Sequence, residues 1–226
     1  VGTYTFAYII YTVAQAALAV WAFILWRRDR QVGSLALLLP IATVWYDNLI
    51  IAIGSWVGAG PLLEALTIPR FVGHAFITPI WIVAAVSLAV RVGAFVRYAR
   101  AATIGSWILY GLMVVVGVLN EIVFFEGELV TEGDVLYYTN VGRLFTPPPP
   151  SLTMLVVVLI CGALVLWKTR WPWMLLGALP VPVSQAMSGE GAVFVFVNSG
   201  EVIMSASLAA TLAFVQRREL AQTDQD

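Results

Sequence analysis

"GSLALLLPIATVWYDNLIIAIGSWV", residues 33–57, is 25 residues long and holds one charged side chain, Asp47. A bilayer core about 30 Å thick is crossed by about 20 apolar residues in a helix. The run is therefore long enough to span, and it carries a carboxylate into a medium where an ionised acid is costly unless something pairs with it. The reading of this stretch decides the fold, and the rest of the chain agrees with it.

Of the 226 residues, 61% are hydrophobic and 11% charged, and the mean hydropathy is +0.90; an ordinary soluble domain carries roughly a quarter charged residues. There is too little polar surface to coat a globule in water. Seven runs have spanning length: Thr5 to Trp26, Gly33 to Val57, Phe71 to Val90, Ala102 to Phe125, Ser151 to Trp167, Trp171 to Met187 and Ala192 to Gln216. The expected fold is an all-α polytopic membrane bundle of seven transmembrane helices, one integral-membrane domain over residues 1–226. The first run is read as a span: it has no basic leader, exceeds a signal-peptide core, and is followed by Arg27, Arg28 and Arg30.

Arginine and lysine placement sets an expected orientation. The turns after the first, third and fifth runs and the C-terminus hold Arg27, Arg28, Arg30, Arg91, Arg97, Arg100, Lys168, Arg170, Arg217 and Arg218, while Arg70 and Arg143 fall on the other side. By the positive-inside rule the N-terminus lies outside and the C-terminus in the cytoplasm, as in the plasma membrane of a prokaryote. Trp26, Trp56, Trp107, Trp167, Trp171 and Trp173 sit near run ends, where indoles anchor in the headgroup layer.

The longest connection, residues 126–150, is read as an extracytoplasmic loop. Its four consecutive prolines, Pro147 to Pro150, predict a polyproline II stem. Apolar residues at 135, 138, 141, 144 and 145 predict a short amphipathic helix on the outer face.

With the helices alternating in direction, the polar residues within the runs fall into one depth zone. Asp47 lies about fourteen residues into the second run at 1.5 Å each, in its outer half, with Asn48 beside it. Arg70, His74 and Thr78 are spaced by four on one face of the third. Asn120 and Glu121 end the fourth, Ser184 and Gln185 lie toward the outer end of the sixth, and Asn198 and Glu201 share a face of the seventh. Tyr8, Tyr11, Thr12 and Gln15 add a stripe on the first. The inner half reads as nearly bare of polar residues, and the fifth run, with only Thr153 and Cys161 to offer, as peripheral. This pattern predicts an outward-opening polar cavity in which Asp47, His74 and Glu201 are the acid–base residues. Asn48, Arg70, Glu121, Gln185 and Asn198 contact the ligand, with Arg70 and Glu121 nearer the mouth. His74 is the group that changes charge near neutral pH.

Several chemistries are excluded. Covalent retinal needs a lysine in the last span, and Lys168, the single lysine, follows the fifth run. One histidine cannot supply a multi-histidine zinc site or bis-histidine haem, and one cysteine, Cys161, excludes a disulfide framework. No dinucleotide, P-loop or nucleophile-elbow motif is present. No basic stripe favours a nucleic-acid partner. Membrane lipid is the expected surrounding; the pattern singles out no cofactor, metal or oligomeric state. Three function classes fit: an intramembrane enzyme or binder acting on a lipid or isoprenoid, a small-molecule or proton-coupled transporter, and a structural or pigment-binding subunit of a membrane complex.

Overall fold

The computed structural model describes residues 2–186 and 193–223, and the side chains of all of these except 184–186 and 193–197. In chain order the helices are α1 (Thr3–Asp29), α2 (Val32–Val57), α3 (Pro61–Phe76), α4 (Trp81–Arg91), α5 (Ala99–Val118), α6 (Pro149–Thr169), α7 (Trp173–Ala178), α8 (Pro180–Ala186) and α9 (Val193–Thr223). A hairpin of β1 (Gly127–Glu132) and β2 (Val135–Asn140) lies between α5 and α6.

Among the described residues six helical stretches are long and apolar enough to cross a membrane. They are Thr3–Asp29, Val32–Val57, Pro61–Arg91, Ala99–Val123, Pro149–Thr169 and Asn198–Thr223. The third combines α3 and α4 through a 3₁₀ turn, Thr78–Ile80, where Pro79 has no N–H to continue the α-helical ladder. The fourth extends α5 by a π-helical turn, Leu119–Val123. The expected sixth run is instead two short helices, α7 and α8, with an apolar stretch of only Trp173–Val183. Pro180 lacks the donor that would carry α7 onward, so the chain restarts as α8. The chain is thus mostly helical, and among the described residues six stretches are long and apolar enough to span.

The core centres on α4. Trp81, Ile82, Ala84, Ala85, Leu88 and Ala89 are buried all round the helix, as expected of a segment apolar on every face. Leu37 and Ile41 of α2, Val158, Cys161 and Val165 of α6, Met174 of α7 and Met204, Leu208 and Leu212 of α9 pack in the same cluster. The α6 helix is therefore not peripheral. Of the six stretches, Thr3–Asp29 and Ala99–Val123 have the smallest buried share. An apolar helix looks alike to lipid and to another helix, so its sequence does not say which it will meet.

The outer connection also differs from expectation. Residues 135–140 are a strand, not an amphipathic helix, paired antiparallel from Glu132↔Val135 to Gly127↔Asn140. Val135 and Tyr137 are buried alternately, the period-two pattern of a half-buried strand. Gly133, at φ 59°, supplies the positive φ of a two-residue hairpin loop. The proline run is not wholly a stem either: Pro149 and Pro150 begin α6, where the first turn has no use for their missing N–H groups.

The hairpin is fastened to the bundle. Its Val135 and Tyr137 pack with Tyr8, Ile51 and Ala52. Gly54 of α2 faces the carbonyl of Leu136 so closely that any side chain there would collide with the strand backbone. The carboxylate of Asp134 accepts the N–H groups of Tyr4 (2.9 Å) and Thr5 (3.2 Å), which are orphan donors of the first turn of α1. Its backbone carbonyl accepts the hydroxyls of Ser55 (2.6 Å) and Thr5 (3.3 Å). Asp134 thus caps α1 from more than a hundred residues away.

Candidate functional site

The site is built on α2 and α3. Arg70 Nε donates to Asp47 Oδ1 at 2.7 Å, and His74 Nε2 lies 3.5 Å from the same oxygen. Arg70 and His74 are one helical turn apart, so both side chains leave one face of α3 toward one carboxylate. Arg70 also donates to the carbonyl of Tyr138 on the hairpin, at 3.3 Å. The side chains of Arg70 and Asp47 are 9% and 8% exposed, that of His74 29%. Arg70 is therefore buried with Asp47 rather than placed at a mouth with Glu121.

The other ring nitrogen, Nδ1, is 3.3 Å from Thr78 Oγ1. With Nε2–H turned toward the carboxylate, Nδ1 of neutral imidazole accepts from the threonine hydroxyl; when the ring is protonated, both nitrogens donate and the hydroxyl accepts. In either state Arg70, a permanent cation, stays against the same Asp47 oxygen.

Asn48, one residue on, donates to the carbonyl of Val44 at 2.9 Å and accepts from Asn198 Nδ2 of α9 at 2.9 Å. This amide pair joins α2 to α9. Glu201, three residues beyond Asn198, is half-buried and lies within electrostatic range of both His74 and Asp47. The side chain of Gln185 lies outside the described residues.

Glu121 belongs to a neighbouring cluster. It sits in the π-helical turn, 3% exposed, and accepts from Arg143 Nε at 2.9 to 3.0 Å and from Asn120 Nδ2 at 3.1 Å. Asn120 in turn accepts from the N–H of Phe145 (2.9 Å), and its carbonyl accepts from Asn140 Nδ2 (3.1 Å). Phe71 links the clusters: the guanidinium groups of Arg70 and Arg143 each lie 5.8 Å from its ring centre. In the sequence Arg143 stands out only by the side of the membrane on which it falls. Its partnership with Glu121 has no sequence signal, because the two lie on opposite sides of the hairpin.

A groove of about 280 Å³ runs along the outer surface between α3 and the π-helical turn, walled by Ile68, Phe71, Val72, Ile122 and Phe125, with Glu64 and Glu121 at its polar edge. It is apolar and open on the face that α3 presents outward.

Beyond the inner ends of the runs, outside the half read as nearly bare of polar groups, lies a second polar cluster. At the far ends of α1 and α9, Arg91 donates to both carboxylate oxygens of Glu219 (2.9 and 2.6 Å) and lies 3.0 Å from Asp29 Oδ2. Ser34 and Gln216 donate to the same Asp29 oxygen, at 2.8 and 2.9 Å. Arg91 was visible in the sequence as a topological charge; its role as a clamp of four helices was not. Among the described residues no three of His, Cys, Asp and Glu converge as a metal-binding group.

Compared with known proteins, the chain matches no family model and no curated protein.

Proposed function

We propose that this is an intramembrane acid–base protein acting on a lipid or isoprenoid, with His74 as the proton-exchanging group. Asp47 orients the imidazole, Arg70 pairs with Asp47, and Glu201 is a second carboxyl within reach of the same charges. Asn48 and Asn198 supply amide groups beside them for a polar ligand. The observation that carries this reading is the gradient of exposure around one oxygen: Asp47 Oδ1 is shared by Arg70 and His74, the side chains of Arg70 and Asp47 are buried, and that of the histidine is half-buried at 29% exposure. A buried anion behind a more open imidazole is the arrangement in which a histidine exchanges protons with a guest while its own orientation stays fixed. The apolar groove beside Phe71 supports a hydrocarbon-bearing ligand approaching from the bilayer.

In this reading the N-terminus and the hairpin lie outside and the C-terminus is cytoplasmic, the broken α7 and α8 segment making the seventh passage. Accessibility of tags at the two ends in intact cells tests that orientation; two termini on one side reject it.

The site is tested by native mass spectrometry and lipid extraction of the purified chain. A defined lipid or isoprenoid should be enriched over bulk lipid in the wild type, and its conversion lost in His74→Gln with the fold intact. Because His74 is the single histidine, ¹⁵N-histidine labelling reports its titration with one signal, which the retained compound should shift. A wild type that retains only bulk lipid, with an imidazole signal indifferent to extracted lipid, rejects the reading.

A further inference from the structure

A second, unrelated site lies at the arginine-rich end of α1 and α9. Arg28, Gln216, Arg217 and Leu220 line a recess of about 160 Å³ there, together with Asp29 and Glu219. Three neighbouring arginines are already occupied on aromatic rings: Arg27 on Phe23 (5.8 Å), Arg30 on Trp26 (4.6 Å) and Arg218 on Phe214 (5.7 Å). Arg28 and Arg217 have neither an ion pair nor a ring contact among the described residues, and both are exposed. The two acids of the recess are spoken for by Arg91, at 3.0 Å from Asp29 and 2.6 Å from Glu219. Among the described residues two guanidinium groups without an ion pair therefore line the recess, beside two carboxylates that share the single Arg91 cation.

One residue of the lining, Gln216, has an amide oxygen left without a donor among the described residues. Gln216 is 7% exposed, and its Nε2 donates to the carbonyl of Leu25 (2.8 Å) and to Asp29 Oδ2 (2.9 Å). Those two acceptors fix the amide orientation, since a flip would set oxygen against oxygen. Its Oε1, itself out of contact with solvent, has no hydrogen-bond partner among the described residues, an unmade bond that a donor entering the recess supplies once the lining side chains part.

We infer that this recess binds the headgroup of an anionic phospholipid whose phosphodiester carries a hydroxyl. Arg28 and Arg217 take the phosphate, the pairing for which guanidinium geometry is suited, and the headgroup hydroxyl donates to Gln216 Oε1. The lipid, rather than a free phosphate ester, is favoured by the surroundings: Leu220 is 68% exposed within the lining, and Trp26, one residue before Arg27, stands where an indole marks the headgroup layer. This site does not depend on the reading of His74.

The test uses the full chain in nanodiscs of phosphatidylglycerol and phosphatidylcholine, with retained lipid counted by native mass spectrometry. Wild type should retain phosphatidylglycerol over phosphatidylcholine by about tenfold. The R28Q/R217Q variant should bring the ratio near parity, whereas R27Q/R218Q, which removes equal charge from the stacked arginines, should leave it. R28K/R217K keeps the charge without the planar fork and should fall between, which distinguishes recognition from loss of fold. Phosphatidylmethanol has the same charge and no hydroxyl, so wild type should prefer phosphatidylglycerol over it. Equal loss in the two double glutamine variants, wild-type parity between phosphatidylglycerol and phosphatidylcholine, or no preference over phosphatidylmethanol overturns the proposal. Competition by free glycerol phosphate at concentrations that leave bulk lipid in place would make it a soluble-anion site and overturn the assignment to lipid.

Discussion

Arg70 and Asp47, on adjacent helices, share a 2.7 Å hydrogen bond in which both side chains are at least nine-tenths buried. Removing one partner leaves an uncompensated charge, which costs about 3–5 kcal/mol, whereas exchanging both for apolar residues is often nearly neutral. Arg70→Met should therefore destabilise strongly, and Arg70→Met with Asp47→Leu should recover most of the loss. Unfolding in mixed micelles measures both, and simply additive losses would mean that the pair is not energetically coupled.

The Arg143 and Glu121 pair ties the segment after the hairpin to the π-helical turn, with Arg143 the more exposed member at 24%. Arg143→Gln should leave the buried Glu121 with Asn120 as its remaining side-chain donor and cost about 1–3 kcal/mol. The effect should be local. Hydrogen exchange should rise at Phe145, whose N–H bonds to Asn120, and stay unchanged in α4; a uniform rise would show that the pair supports the whole bundle.

Asp134 makes the hairpin's attachment sensitive to acid. Burial raises its carboxyl pKa, but the Thr5 hydroxyl and the N–H groups of Tyr4 and Thr5 outweigh this and hold it below the usual carboxylate value. With the folded pKa below an unfolded value of about 3.9, the contribution is complete above that value and disappears as pH falls through the folded one. A cap of this kind contributes about 1 kcal/mol. The protection of the Tyr4 and Thr5 amides, measured against their intrinsic exchange rates, should fall in that acid window, and Asp134→Asn should flatten the response. An unchanged pH profile in Asp134→Asn would assign the acid sensitivity to another group.

Gly54 is the contact point at which the backbone of β2 rests on α2, facing the carbonyl of Leu136. The obstacle to a Cβ is backbone rather than a movable side-chain end, so Gly54→Ala should displace the hairpin and cost about 1–3 kcal/mol. Gly105→Ala on α5, where a Cβ meets nothing within 4 Å, is the matched control and should be neutral or slightly stabilising. Faster proteolysis of the hairpin in Gly54→Ala alone checks the contact, and equal behaviour of the two variants would dismiss it.

The sequence by itself determined the mostly helical class, most of the apolar runs of spanning length and the short list of polar residues that need partners. Those follow from local quantities: an apolar run of spanning length, and the cost of an unpaired polar group within it. It also placed Arg70 and His74 on one face, since helical spacing is a property of the chain alone. Tertiary structure decided which acid each cation meets. Asp47 receives both Arg70 and His74, Glu121 turns to Arg143, and Arg91 gathers Asp29 and Glu219. Partner choice depends on helix rotation and closeness of approach, which a run of residues apolar on all sides leaves open. The hairpin shows the same limit from the other direction: residues 135, 138 and 141 fit a helical stripe, but pairing with β1 and burial of Val135 and Tyr137 against Tyr8 and Ile51 select the strand. Backbone groups of a short segment take whichever hydrogen-bonding partner lies near, and only the folded bundle puts that partner in place.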